Sequence, residues 1–169
     1  MEEIVNKVKQ SSLIALDLAD FKPKQPIVEF DLKDNLWQGL VLKEKDFRNF
    51  VATNDWLVYE GKVVGVHCSA DAIIPTWAFM LVVSKLQEYG IEAYIGKTHE
   101  VAKALMLKNI AAFNLSDKEG GKFIIKGCAD VPEPVLMMTE LTKHLQKVAS
   151  SIMYGEPCST VPVFKKARK

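Results

Sequence analysis

A chain of 169 residues that is 49% hydrophobic and 25% charged has the composition of a folded globular protein, which excludes a disordered or fibrous one. Its 22 Lys and Arg against 21 Asp and Glu leave a formal charge of +1, without the basic field of a nucleic-acid binder and without attraction to a membrane surface. No uninterrupted apolar run approaches the roughly 20 residues needed to cross a bilayer, and the opening Met1-Glu2-Glu3 lacks the apolar core of a secretory signal, so the expected location is cytoplasmic.

Glu2 to Gln10 has the spacing of a short amphipathic helix, with Ile4, Val5 and Val8 on one side. Ser11-Ser12 breaks it, and Leu13 to Leu18 suits a strand or a further helical turn. After the proline-punctuated Phe21–Pro26, the runs Ile27–Leu32 and Leu36–Leu42 flank Lys33-Asp34-Asn35 in a hairpin-like arrangement. Phe47, Phe50 and Val51 fall at i, i+3 and i+4 and predict a helix over Lys45–Asn54.

From Gly61 the pattern changes. Lys62–His67 reads as a valine-rich strand, and Pro75 stands where a first helical turn accepts it. Thr76–Tyr89 follows as a helix apolar on nearly every side, which implies burial. Ile91–Ile95 is the next strand, a helix runs from Thr98 to about Ile110, and Lys122–Lys126 is a third strand. Pro132 and Pro134 open a long helix predicted to reach about Met153, and the tail from Glu156 is extended.

Three alternations of strand and helix predict a small, mostly parallel α/β sheet with right-handed crossovers. The chain is expected to be a single domain over 1–169, an N-terminal α+β portion (1–60) preceding an α/β portion (61–169).

The chemistry concentrates at the cysteines. Gly65-Val66-His67-Cys68-Ser69-Ala70-Asp71 ends the first of these strands, and Lys126-Gly127-Cys128-Ala129-Asp130 ends the third, in a degenerate repetition. Ligands of parallel sheets bind beyond the carboxyl ends of strands. Neighbouring strands lie about 4.8 Å apart, and two thiolates on one zinc at ~2.3 Å each lie within ~4.6 Å. Cys68 and Cys128 can therefore share an ion only if the first and third strands are adjacent. Cys158 would join them from the tail, with Asp71 or His67 as a fourth ligand.

The plainer alternative is that all three cysteines are small buried hydrophobes, since their spacing contains no CxxC pair. An odd number of cysteines in a reducing compartment argues against a disulfide framework. Asp71 and Asp130 are candidates for a general acid and base if they face one pocket, and for helix N-caps otherwise. Alternation turns His67 away from the face of Val66, toward a covering helix or solvent. His99 reads as a polar first-turn residue, His144 as an amphipathic interface residue, and Trp37, Trp56 and Trp77 as core or interface. Phosphatase Cys-x5-Arg loops, GxGxxG, GxxxxGK[ST], HExxH and GxSxG are all absent.

The stretches Cys68–Ala78, Lys126-Gly127-Cys128 and Ser151–Pro162 closely resemble a bacterial family, domain of unknown function 2480. Phe30–Asp34 and Lys43–Arg48 share the resemblance, which covers essentially the whole chain. It implies a neighbourhood of Suf-type iron–sulfur assembly proteins, which are the expected partners. With the residues, it supports one metal held by Cys68, Cys128, Cys158 and Asp71, with zinc, or alternatively iron, as the cofactor. Two other expectations compete: a metal-free thiol enzyme with Cys68 as nucleophile or persulfide carrier, and a non-enzymatic scaffold, homodimeric through the N-terminal hairpin.

Overall fold

The computed structural model describes residues 13–127, 130–156 and 158–167. The helix expected over Glu2–Gln10 lies outside them, as does Cys128. Among the described residues it is a mixed, mostly parallel α/β protein with two sheets and two compact units, a central one (Pro23–Ala104) and a terminal one formed by the described residues on either side of it in sequence.

The central unit holds β2 (Ile27–Asp31), α1 (Glu44–Thr53), β3 (Val63–His67), α2 (Thr76–Glu88), β4 (Ala93–Ile95) and the first turns of α3 (Thr98–Ala111). Its strands run parallel in the order β2-β3-β4. Every residue of β3 is buried, as a central parallel strand covered on both faces requires. Phe30, Val64 and Val66 meet Phe47 and Val51 of α1, Ala78, Val82 and Leu86 of α2, and Trp56. On the opposite face Gly65 lets the start of α3 approach, since a Cβ there would lie 2.6 Å from the Gly96 carbonyl oxygen and 3.0 Å from Val101. Glu44 and Asp46 stand in the first turn of α1, where acids suit the helix dipole.

The terminal unit holds β1 (Leu13–Asp17), β5 (Lys122–Lys126), α4 (Pro134–Leu145), β6 (Ser151–Glu156) and β7 (Ser159–Lys165), with strand order β1-β5-β6-β7. The first three strands are parallel, and β7 returns antiparallel to β6. Phe123, Ile124 and Ile125 are all buried, an apolar run that needs a neighbour on each side of β5. Its core joins Leu16, Phe123, Ile125 and Ile152 of the sheet to Met106 and Ile110 of α3 and Met137, Leu141 and Leu145 of α4. Pro162 and Lys165 mark β7 as an edge strand, because proline cannot donate to a further strand and lysine discourages one.

Three expectations change. The strands Lys62–His67 and Lys122–Lys126 are not adjacent, because β3 and β5 belong to different sheets and β5 pairs instead with β1 and β6. Helix α4 stops at Leu145, and the segment read as its continuation is β6. The N-terminal β region has a different arrangement: β2 pairs in parallel with β3, across the boundary placed at residue 60, and among the described residues antiparallel pairing there is confined to a bridge between Trp37 and Val41.

Candidate functional site

Two strand ends share a local design. Asp17-Leu18-Ala19-Asp20 closes β1 and Asp31-Leu32-Lys33-Asp34 closes β2. In each, the first aspartate accepts a hydrogen bond from the amide two residues on and caps a short 3-10 turn, while the following leucine is fully buried. The surroundings then diverge. The Asp17 carboxylate stands 4.0 Å from Lys126 Nζ. Asp31 is addressed from beyond β3, where the Ser69 amide donates at 3.0 Å and the Ser69 hydroxyl at 2.5 Å. This repeated Asp-Leu-x-Asp pattern is the signal that sequence reasoning missed; it marks both strand ends, and the bonds from Ser69 set Asp31 apart from Asp17.

Burial works against the Asp31 carboxylate. Hydrogen bonds from the Ser69 hydroxyl and from the Lys33 and Ser69 amides outweigh it, with help from the nearby His67, and hold the group below the usual carboxylate range. His67 turns away from Val66 as alternation requires, is buried, and meets Glu29 with Nε2 at 3.0 Å. Glu29 in turn accepts from the Thr98 amide (2.8 Å) and hydroxyl (2.9 Å) at the start of α3, and these bonds lower its pKa. The Nδ1 atom of His67 is buried with no partner among the described residues.

The Asp31 shift fixes a pH dependence. A group whose folded pKa lies below its unfolded value stabilises above the ordinary aspartate range, and that contribution disappears as pH falls. The bonds to Ser69 anchor the segment beginning at Cys68. The reactivity of Cys68 toward a pyridyl disulfide, relative to that of Cys158, is expected to stay level from neutral pH to about 4 and to rise below it. In Asp31→Asn the ratio should already be raised at neutral pH. A ratio unaffected by acid and by the substitution would show that the carboxylate does not hold this segment.

The predicted site residues fall apart by unit. Cys68 follows β3 directly, is half-buried against the central core, and has its Sγ 3.8 Å from the Ala70 carbonyl oxygen. Cys158 is exposed in the tight turn between β6 and β7, in the terminal unit. Asp71 is exposed and caps nothing, since Pro75 is the N-cap of α2 and makes no side-chain cap bond. Asp130 does not cap α4 either, whose N-cap is Glu133. It pairs instead with Lys22 at 2.8 Å, which lowers its pKa. Asp71 and Asp130 belong to different units. Among the described residues no group of three His, Cys, Asp or Glu side chains is placed to hold a metal ion. The strand adjacency that joined Cys68 to Cys128 is not there.

The other histidines behave as expected. His99 is exposed in the first turn of α3, and His144 is half-buried and ties α4 to the Phe113 carbonyl at 2.8 Å. Trp56 is core, Trp77 is half-buried beside Phe47, and Trp37 is exposed under Lys43.

Among the described residues the molecule is thus a two-sheet, mostly parallel α/β protein in which Asp31 and Cys68 stand at the carboxyl ends of the paired strands β2 and β3. Among the described residues no helix is long and apolar enough to cross a membrane. It belongs to the family described as Protein of unknown function (DUF2480), whose model matches residues 2–166. No curated protein and no solved structure matches the chain.

Proposed function

We propose that the chain works through a thiol pair, Cys128 and Cys158, which together bind zinc or iron in an accessory role in iron–sulfur or sulfur metabolism. One observation supports this. Strands β5 and β6 are hydrogen-bonded parallel neighbours, and each cysteine comes two positions after the last residue of its strand, Lys126 or Glu156. Strand ends about 4.8 Å apart suit two thiolates on one ion. Thiolate donors select zinc and iron–sulfur species. Two protein ligands leave positions for a sulfur donor or a partner's ligand, which fits the Suf-type neighbourhood implied by the family resemblance. Cys68 is on this account a packing residue of the central core.

Elemental analysis of protein purified without chelator tests the proposal. About one zinc or iron per chain is expected, kept by Cys68→Ser and lost in both Cys128→Ser and Cys158→Ser. Wild-type protein without metal, or metal lost only with Cys68, would sink it.

A further inference from the structure

Between β2 and α1, in the central unit, the chain closes a tight hairpin turn. The Trp37 amide donates to the Val41 carbonyl at 2.8 Å, and the Val41 and Leu40 amides donate to the Trp37 carbonyl at 3.3 and 3.1 Å. Gln38 (φ 52°) and Gly39 (φ 70°) are both left-handed, a conformation that suits glycine and strains glutamine. The turn is therefore held in one shape, and what it holds up is apolar: Trp37, Leu40 and Val41 are 49%, 63% and 52% exposed. Beside this tip lies a hollow of about 270 Å³, lined by Phe47 and Phe50, by Trp37 itself and by the exposed Asp34, Lys43 and Asp46. Lys33 pairs with Asp31 and Arg48 with Glu44. Among the described residues Asp34, Lys43, Lys45 and Asp46 make no ion pair, and the Lys43 ammonium has only the Trp37 ring, 4.0 Å away.

We propose that this face is an isologous interface between two copies of the chain, the apolar tip of each seated in the hollow of the other. Charge selects the occupant. A membrane surface asks for cations around an apolar tip, whereas two free carboxylates and two free ammonium groups surround this one. A two-fold axis turns such a rim on itself and sets its lysines opposite its acids. A knob and a hollow side by side on one face are likewise what a two-fold pair requires, since each copy then gives and receives the same contact. Tryptophan at the centre of the patch is the residue type that most often carries the energy of an interface. The proposal does not depend on the thiol pair.

Sedimentation of the full chain over a concentration series tests it. A dimer is expected, and Trp37→Ser and Leu40→Ser should each weaken it by about thirtyfold or more, the effect of a central interface residue. Both side chains are exposed, so the urea midpoints of these variants should match the wild type. Leu57 is as exposed but precedes β3, whereas the tip follows β2, so it stands toward the other end of these parallel strands. Leu57→Ser should leave the dimer unchanged. Two charge-reversed chains test the pairing itself. Asp34→Lys with Asp46→Lys makes the rim basic, and Lys43→Glu with Lys45→Glu makes it acidic. Each should be monomeric alone, and an equimolar mixture of the two should dimerise. A wild-type chain that stays monomeric throughout, whether or not it binds anionic vesicles or another protein, would overturn the proposal. So would a full-strength dimer in either tip variant, equal weakening by Leu57→Ser, or no association in the mixture.

Discussion

Trp56→Ala should unfold at a much lower urea concentration than the wild type, with a loss of about 3–5 kcal/mol. Trp56 is the largest of the fully buried side chains and stands on a 3-10 turn, Trp56–Tyr59, capped by Asp55. Its ring lies 5.5 Å from Phe30, 6.2 Å from Tyr59 and 6.4 Å from Phe50, distances at which aromatic pairs add to simple burial. The indole N–H donates to the Val51 carbonyl at 2.9 Å, so truncation also leaves that oxygen without its donor. A folded domain has only about 5–15 kcal/mol in total, so the loss is a large share. Cys68 packs against this cluster. Its labelling should quicken on the substitution, while that of Cys158, in the other unit, should not. A wild-type urea midpoint would show that the neighbouring rings close the cavity without penalty.

Local periodicity carried the middle of the chain and failed on pairing. The valines of β3, Pro75 before α2 and the spacing of Phe47 and Val51 each act within a few residues, and the elements they predict are observed. Which strands pair is decided by which apolar runs need cover on both edges, and that is not a local property. Strand β5 takes β1 from the start of the chain, and β3 takes β2. The tail misled for a related reason. Met137, Leu141 and Leu145 keep the helical stripe, and Val148 and Ile152 extend its spacing past the end of α4, but Ile152 lies in β6 and reaches the same core from a strand. Asp31 escaped notice because an aspartate closing a strand looks like any turn residue. Its distinction lies in Ser69, brought to it by the β2–β3 register.

Gly65→Val is expected to cost about 3 kcal/mol, at the upper end for overpacking, although valine is the better strand former and both neighbours of Gly65 are valines. The conflict is steric. A Cβ at Gly65 would sit 2.6 Å from the Gly96 carbonyl oxygen, a backbone atom with no rotamer to change, and 3.0 Å from Val101. Gly96 cannot retreat easily. Its amide donates to the Val66 carbonyl at 2.9 Å, and its own α-carbon faces Glu100, whose Cβ would lie 2.8 Å from any side chain placed there. Relief must come from the start of α3 moving off β3. That movement would strain the bonds from Thr98 to Glu29 and, through Glu29, the contact with His67. Hydrogen exchange should therefore quicken at the Thr98 amide more than at Val82, on the helix that covers the other face of β3. Equal acceleration at both sites would mean that the valine loosens the whole unit, and an unchanged midpoint would mean that the approach of α3 to Gly65 is slack.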